Sequence, residues 1–279
     1  MSDARDTNRA HWDALAAVHG AGIPGGHYDL DAVIAGRGLG DAEQAAVDAA
    51  VGSLEGLDVL HLQCHVGIDS IALARAGARV TGVDLSPGSL AAAGALAQRC
   101  GVELALVEAE ATALPQSLHG RFDLVYATVG VICWIEDIGA WMRSAASALR
   151  PGGTLVLIDA HPIYQMALTF DPLDVDFPYA FDGPHEFDNQ GSYADPSAYV
   201  ATKEIVYAHS LGEIVNAALA AGLRIDALEE HLDADADPRG SVAVREADGR
   251  YRVRLGGVEP IPLLFTLRAT RTYGDTAEA

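Results

Sequence analysis

Residues 57–84 read LDVLHLQCHVGIDSIALARAGARVTGVD, and this stretch contains a complete strand, turn, helix and strand pattern. The β-rich runs LDVLHLQC and ARVTGVD flank an alanine-rich helical run, DSIALARAG. A strand, a crossover helix and a second strand make a βαβ unit, in which the two strands are parallel. The stretch therefore predicts an α/β protein.

The same alternation continues along the chain. VELALVEAE, FDLVYAT and GGTLVLIDA are typical of strands, and SPGSLAAAGALAQRC and DIGAWMRSAASAL of helices. Before the first strand we expect a helix over residues 3–19 and another near DAEQAAVDAAVGSL. The pattern predicts a doubly wound open sheet, which binds its ligands at the carboxyl ends of the strands.

Composition limits the kinds of partner. The 279 residues are half hydrophobic and carry a formal net charge of −21. Such a surface repels phosphate backbones and anionic lipids, so we expect no nucleic acid and no membrane as partner. The polar first residues lack an apolar signal segment, and three cysteines without regular spacing favour a reducing compartment. We expect a cytoplasmic protein.

The turn HLQCH, residues 61–65, has several alternative interpretations. A zinc site would need a second group of ligands, and because the sequence shows none we predict no metal. Covalent haem needs C-x-x-C-H, which His61 breaks. A tight turn between strand and helix is the usual place for a nucleotide-binding loop, but of the glycines normally found there only Gly67 is present. Both glycine patterns for pyrophosphate and triphosphate fail, which leaves a ligand with ribose but no phosphate.

Asp84 supports a ribose-containing ligand. It ends the second predicted strand, roughly 20 residues after the turn, which is the usual offset for a carboxylate that binds ribose hydroxyls. The alternative is a capping role for Asp84 at the next helix, although Ser86 is itself a good cap.

At this point the chain resembles the class I S-adenosylmethionine-dependent methyltransferases. VLHLQCHVG, residues 59–67, is in register with their first motif, VLDLGCGTG, and VTGVDLS matches the second. EATALP, residues 110–115, resembles the segment after the third strand. FDLVYATVGVICWIED and LRPGGTLVLID resemble the fourth strand with its helix and the fifth strand. The resemblance is close over residues 58–160 and looser over 211–270, and it implies a Rossmann-like, doubly wound, seven-stranded sheet, mostly parallel with an antiparallel last strand, and helices on both faces.

The first motif departs from the family at His61, Gln63 and His65, where an aspartate and two glycines are usual. The chain is similar to an actinobacterial-type subgroup that carries HLQCH in this loop and CW after the fourth strand. We therefore expect a variant loop that still binds S-adenosylmethionine, with S-adenosylhomocysteine as the product. The sequence leaves open whether Gln63 and His65 only replace backbone contacts or reach the methionine end of the cofactor.

The resemblance implies that four residues hold the nucleoside. Asp84 would bind the ribose hydroxyls and Leu85 would lie beside the adenine ring. Glu110 and Ala111 would lie at the amino edge of that ring.

The methionine side of the cofactor is assigned by the same resemblance. Gln63, His65 and Gly67 would line the methionyl and ribose side, and Thr128 would lie beneath the sulfonium. Asp69 has two open alternatives: it either caps the helix that follows or meets the ammonium group of the cofactor.

The resemblance also divides one methyltransferase domain, residues 1–279, into segments. These are an N-terminal helical cap (1–55), a cofactor-binding core (56–160), a substrate lid insertion (161–202) and a C-terminal completion of the sheet (203–279). In the cap, Tyr28 is expected to close over the cofactor, and Trp12 either does the same or packs in the core.

The lid insertion bears on the acceptor. Between His161 and Val200 it contains no Lys or Arg but seven acids: Asp171, Asp174, Asp176, Asp182, Glu186, Asp188 and Asp195. Seven of its aromatic residues could form an apolar pocket wall: Tyr164, Phe170, Phe177, Tyr179, Phe181, Phe187 and Tyr193. An anionic acceptor would find no partner here, so we expect a small neutral or cationic organic molecule, as in specialised metabolism. The alternative is a solvated acidic loop anchored by its aromatic side chains.

A catalytic base is useful only if the acceptor atom carries a proton that must leave. His161, just past the fifth strand, and His209, before the late helix, are the candidates, although each is more often structural than catalytic. We expect a methyltransferase for a small acceptor. The alternatives are an enzyme that uses the same cofactor for cyclisation or elimination and a non-catalytic binding module. The sequence does not fix the oligomeric state and leaves a homodimer open.

Overall fold

The computed structural model describes residues 4–170, 172–195, 197–237 and 242–272. Its helices are α1 (Ala4–Ala21), α2 (Leu30–Ile34), α3 (Asp41–Val51), α4 (Ile68–Arg75), α5 (Pro87–Cys100), α6 (Ile138–Ala148), α7 (Pro162–Gln165) and α8 (Leu211–Ala220). Its strands are β1 (Asp58–Leu62), β2 (Arg79–Asp84), β3 (Ala105–Glu108), β4 (Phe122–Thr128), β5 (Leu149–Ala160), β6 (Ala167–Phe170), β7 (Leu173–Val175), β8 (His185–Gln190), β9 (Ala201–Val206), β10 (Leu223–His231), β11 (Val244–Arg245), β12 (Tyr251–Leu255), β13 (Glu259–Ile261) and β14 (Leu264–Arg271).

A seven-stranded sheet forms the centre of the described part of the chain. The strand order is β10-β14-β5-β4-β1-β2-β3. Strand β14 is antiparallel to both of its neighbours, β10 and β5, whereas the pairs from β5 to β3 are parallel. The predicted Rossmann-like sheet with its antiparallel last strand is confirmed.

Helices cover both faces of the sheet because the central strands are apolar on both sides. In β4, Leu124 and Tyr126 pack into one cluster with Val47 of α3, while Val125 and Ala127 pack into another with Trp141 of α6. All four strand residues are fully buried. Near-continuous apolar strands of this kind are expected where a parallel sheet is buried on both faces. Within the described residues, no helix combines the length and the apolar character needed to cross a membrane.

The topology places a crevice at the ends of β1 and β4. The chain runs from β1 outward through β2 to β3, and then returns to form β4 and β5 on the other side of β1. Open α/β sheets bind ligands at such a switch point, outside the carboxyl ends of the strands. The turn after β1 and Thr128 at the end of β4 both lie there.

The insertion after β5 contains more regular structure than the sequence indicates. It forms α7 and two hairpins, β6 with β7 and β8 with β9. The residues of β8, HEFDNQ, are exposed along most of the strand, so they show no alternation of apolar and polar residues. The hairpin β8–β9 also extends to residue 206, beyond the predicted lid boundary at 202.

The N-terminal helix holds the β8–β9 hairpin in place. α1 packs against α5 and against β9. The side-chain amide of Asn8 donates from Nδ2 to Ile205 O at 2.7 Å and accepts the Ile205 N–H at Oδ1 at 2.8 Å. Both residues are buried, so a single side chain satisfies the two backbone groups of a strand residue.

We expect Asn8→Ala to lower the free energy of unfolding by about 2–4 kcal/mol, because it leaves the buried N–H and C=O of Ile205 without partners. The matched control is Asn216→Ala, which removes an exposed asparagine from α8. Urea unfolding of both variants measures the effect. Equal stability of the two variants would show that the two hydrogen bonds between Asn8 and Ile205 do not stabilise the fold.

Candidate active site

The turn after β1 adopts a backbone conformation that normally needs glycine. Gln63 and His65 have φ angles of 54° and 48°, and they are the non-glycine residues with positive φ in the described part of the chain. A side chain in this left-handed region costs roughly 1–2 kcal/mol. Gly67, with φ of 77°, could not be replaced so simply, because a Cβ atom there would lie 2.9 Å from the Cβ of Ala93.

The side chain of Gln63 ties this turn to two other elements. Its Nε2 donates to Val131 O at 3.0 Å, and its Oε1 accepts the indole N–H of Trp141 at 2.8 Å. Trp141 is fully buried in α6, and Val131 follows β4. Both ends of the Gln63 amide are therefore engaged within the protein, although the residue also lines the cavity described below.

His65 connects the turn to β2 and to the N-terminal helix. Its backbone N–H donates to Asp84 Oδ2 at 2.8 Å, and its ring bonds Ser89 Oγ through Nδ1 at 3.0 Å. The ring Nε2 lies 2.7 Å from Nδ1 of His19 in α1. Its side chain is thus held by protein groups at both nitrogens.

Asp84 is a buried carboxylate whose position is fixed by backbone donors. Besides the His65 N–H, the N–H of Ser86 donates to Oδ1 at 2.9 Å. Burial raises the pKa of Asp84 to about 6, and the N–H groups of Ser86, His65 and Leu85 oppose this shift. The capping alternative for Asp84 is excluded, since Ser86 is the N-cap of α5 and accepts the N–H of Ser89.

Asp69 does not cap its helix either. Gly67 is the N-cap of α4, and no side chain caps that end. Instead Asp69 Oδ2 accepts hydrogen bonds from Thr128 Oγ at 2.8 Å and from the Tyr126 hydroxyl at 3.3 Å. This arrangement joins the start of α4 to the end of β4, directly at the switch point.

A single cavity of about 840 Å³ brings the candidate residues together. The sequence-predicted cofactor residues that line it are Tyr28, Gln63, His65, Gly67, Asp69, Asp84, Leu85, Glu110, Ala111 and Thr128. They come from segments that are far apart in sequence. Trp12 also lines the cavity, with its ring 5.0 Å from the ring of His65 and 4.9 Å from that of Trp134.

The two candidate bases lie elsewhere. His161 is buried as the N-cap of α7; its Nδ1 accepts the Ile163 N–H at 3.1 Å and its Nε2 pairs with Glu230 at 2.9 Å. His209 is buried and donates from Nε2 to Ile135 O at 2.6 Å. Burial lowers the pKa of both histidines. Neither histidine is among the residues that line the cavity, so their catalytic role stays a prediction without support from the cavity geometry.

The acids of the insertion that the structure describes lie outside the cavity, as the alternative of a solvated loop expects. Of the seven, Asp171 lies outside the described residues, and the other six are exposed or half-buried and do not line the cavity. Among the seven aromatic residues, Tyr193 lines the cavity. Tyr164 and Phe170 instead belong to a separate apolar cluster beneath β12 and β14.

Several residues that line the cavity could not be identified from a sequence motif. Glu43 lies in the first turn of α3, and Asp237 follows β10, so both come from segments without a recognisable motif. His61, which departs from the first motif of the family, lines the cavity while its Nδ1 bonds Ser70 Oγ at 2.8 Å. Burial lowers the pKa of His61 to about 4, so the ring is neutral at pH 7. The described residues contain no group of three or more His, Cys, Asp or Glu side chains placed to hold a metal ion.

We expect Gln63→Gly and Gln63→Ala to differ in stability. Both substitutions remove the hydrogen-bond partner of Trp141 and Val131, but only glycine also relieves the strain of the positive φ. The free energy of unfolding of the Ala variant should therefore be about 1 kcal/mol lower than that of the Gly variant. Both should be less stable than the wild-type protein, since the buried Trp141 N–H loses its acceptor. Chemical denaturation measures both differences. An Ala variant as stable as the Gly variant would show that the turn is unstrained.

Known proteins that are similar to this chain include methyltransferases. Residues 60–155 match a family described as a methyltransferase domain. A ubiquinone biosynthesis O-methyltransferase of Methylobacterium sp. (strain 4-46) is 37% identical over 106 residues, which are 36% of this chain and 39% of the relative. The chain therefore matches well under two thirds of that relative's length.

Solved structures extend the similarity over most of the chain. An S-adenosylmethionine-dependent methyltransferase from Mesorhizobium loti superimposes with a TM-score of 0.57 and 26% identity, covering 83% of this chain and 99% of that one. The cyclase SpnF has a TM-score of 0.57 at 14% identity, covering 95% of each chain, which shows a common fold alone. Together with the cavity geometry, these matches show that residues 60–155 resemble a methyltransferase domain within a fold shared with S-adenosylmethionine-dependent methyltransferases, and they support S-adenosylmethionine as the cofactor.

Proposed function

We propose that the protein transfers a methyl group from S-adenosylmethionine to a small organic acceptor of specialised metabolism. The observation that carries the proposal is the single cavity in which the residues predicted for the nucleoside and for the methionine end meet. The cavity volume of about 840 Å³ lies in the upper part of the range for small-molecule sites, ~300–1,000 Å³. Such a volume is consistent with a cofactor and an acceptor side by side.

The residues of the cavity fit a nucleoside without phosphate. Asp84 offers a buried carboxylate with a fixed orientation, which suits two vicinal hydroxyl donors. Ala111 is buried and Glu110 is half-exposed beside it, so one apolar surface and one acceptor are available for the adenine ring and its amino group.

The methionine end of the site contains a carboxylate held by two hydroxyl groups. Thr128 and Tyr126 both donate to Oδ2 of Asp69, so the side chain keeps a constant position at the end of β4. An anchored carboxylate is suited to the ammonium group of the cofactor. We therefore assign Asp69 to that group, and Gly67 to the close approach of backbone and ligand.

When bound, S-adenosylmethionine supplies a methyl group on a sulfonium that loses its charge on transfer. No oxyanion forms at the reacting carbon, so the chain's own contribution is to hold two reactants in line and to exclude water. Tyr28 and Tyr193 close one side of the cavity through a hydroxyl–hydroxyl hydrogen bond of 2.6 Å. Trp12 adds an aromatic wall next to His65.

The charge of the cavity supports a neutral or cationic acceptor. Among the described residues that line it, two are arginines, Arg5 and Arg37, and nine are acids: Asp41, Glu43, Asp69, Asp84, Glu110, Glu136, Asp137, Asp235 and Asp237. An acceptor with a phosphate or carboxylate would meet repulsion from most of this lining. The preference thus rests on the cavity wall and not on the lid acids that first suggested it.

We further assign the chain to the actinobacterial-type subgroup with HLQCH in the first motif. Support comes from the turn itself, where Gln63 and His65 each form side-chain hydrogen bonds that glycine could not make. Gln63 and His65 therefore define a variant of the cofactor turn that has its own side-chain hydrogen bonds.

We expect Asp84→Asn to raise the dissociation constant of S-adenosylmethionine at least tenfold, because one charged acceptor is lost to the ribose hydroxyls. In the wild-type protein, affinity should fall as the pH drops through about 6, where the raised pKa of Asp84 allows protonation. The Asn variant should lack this dependence. Isothermal titration calorimetry measures both effects, with Asp182→Ala, at an exposed residue outside the cavity, as the control. Unchanged affinity in Asp84→Asn would show that the second motif is misassigned.

Methyl transfer itself is tested by incubating the protein with S-adenosylmethionine and a panel of neutral, cationic and anionic small acceptors. Mass spectrometry should show a product heavier by one methyl group together with S-adenosylhomocysteine, and the anionic acceptors should react least. Release of methylthioadenosine would instead indicate elimination or cyclisation, which this fold does not exclude. No binding of S-adenosylmethionine at millimolar concentration would leave only a non-catalytic module.

A further inference from the structure

A chain of four side chains connects the cofactor turn to the loop of the β8–β9 hairpin. Ser89 Oγ bonds His65 Nδ1 at 3.0 Å, and His65 Nε2 bonds His19 Nδ1 at 2.7 Å. His19 Nε2 then bonds Ser192 Oγ at 3.0 Å. The chain links α5, the turn after β1, α1 and residues 191–195, which are far apart in sequence.

The central link is shielded from water. His19 has no exposed surface. Its ring lies 4.6 Å from the ring of Tyr28 and 5.0 Å from that of Tyr193, and the two tyrosine hydroxyls bond each other at 2.6 Å. The loop therefore contacts the cap at two adjacent points, through Ser192 and through Tyr193.

The His19–His65 bond limits the number of protons in the pair. Two neutral rings form one N–H···N bond between them, and each then uses its other nitrogen toward a serine hydroxyl. A second added proton would place an N–H group of one ring against an N–H group of the other. The bond between the rings exists only while at least one of them is neutral.

We propose that the His19–His65 pair is a latch that holds α1 and residues 191–195 over the cofactor turn, so that bound cofactor leaves only when the latch opens. The latch rests on the cofactor site proposed above, since His65, Tyr28 and Tyr193 all line that cavity. His19 is thus a positioning residue that acts through His65 and Ser192.

The latch responds to pH. Burial, with smaller contributions from His27 and His11, lowers the pKa of His19 to about 4; burial, with smaller contributions from His19, His27 and His11, lowers that of His65 to about 3. The other titratable groups packed around the pair are Tyr28, Tyr193 and Asp84, whose carboxylate accepts the His65 N–H. In an open state the pKa values return toward the ordinary 6.5. The closed state is therefore fully stabilised above that value and loses stability as the pH falls below it.

The first test measures the release rate of S-adenosylhomocysteine from the full chain by stopped-flow tryptophan fluorescence. Trp12 lines the cavity and supplies the signal. We expect His19→Ala to accelerate release about tenfold, because both hydrogen bonds of the latch are lost. Ser192→Ala removes the loop end of the latch, together with the hydrogen bond that Ser192 Oγ accepts from the Ala194 N–H at 3.1 Å, and should accelerate release about threefold. Ser197→Ala, in the same loop at a residue that donates to Asp195 through its hydroxyl and its N–H, should release at the wild-type rate.

The second test uses His19→Gln, whose amide can donate to one neighbour and accept from the other but does not titrate. Its release rate at pH 7.5 should stay near that of the wild-type protein. Between pH 7.5 and 5.5 the wild-type dissociation constant should rise about tenfold more than that of the variant, because His19 takes up a proton on opening. Asp84 contributes equally to the pH dependence of the dissociation constant in both proteins. The control is His185→Gln, which changes a histidine of β8 that is bonded to Asp182.

The outcomes separate the latch from the proposed function. Release within twofold of the wild-type rate in both His19→Ala and Ser192→Ala would overturn the latch, even if methyl transfer is observed. The expected rates without methyl transfer to any acceptor would support the latch and overturn the proposed activity. A wild-type protein that does not bind S-adenosylhomocysteine would overturn both.

Discussion

The left-handed turn after β1 is the constraint on which the site depends. Gln63 and His65 have the left-handed backbone conformation that glycine adopts freely. Each offsets the strain of this conformation by side-chain hydrogen bonds to other elements. Gln63 fixes the turn against α6 and the segment after β4, while His65 fixes it against α5 and α1. The backbone N–H of His65 in turn orients Asp84. This one turn therefore sets the position of the Asp84 carboxylate, of part of the cavity wall and of the N-terminal helix α1.

The fold, and the meeting of Asp84, Glu110 and Thr128 in one cavity, could be predicted from the sequence because they depend on local patterns. Alternating β-rich and alanine-rich runs predict the sheet, and β4 has the bounds that FDLVYAT indicates. Asp84, Glu110 and Thr128 end or follow strands of the same sheet, and the carboxyl ends of parallel strands meet at one edge. Their convergence in one cavity follows from topology.

The remaining acidic lining of the cavity could not be predicted in the same way. Glu43, Asp235 and Asp237 reach the cavity from a helix before the first strand and from a segment after β10, and their positions depend on packing between distant parts of the chain. The histidines show the same limit. His161 and His209 lie near strand and helix ends, where catalytic residues are common, but hydrogen bonds to Glu230 and to Ile135 hold them away from the cavity. His61 appeared to be a departure from a motif, yet it lies on the cavity wall.

The bond between Gln63 and the indole of Trp141 also has an evolutionary consequence. A reversion of position 63 to glycine would leave the tryptophan N–H unpaired in a fully buried site, and loss of the tryptophan first would leave the glutamine strained without its partner. Each single step is unfavourable, so the two positions are expected to change together across descendants of this chain. Exchange of Gln63 for glycine thus calls for a matching change at position 141, and this coupling favours retention of the turn even where cofactor chemistry does not require it.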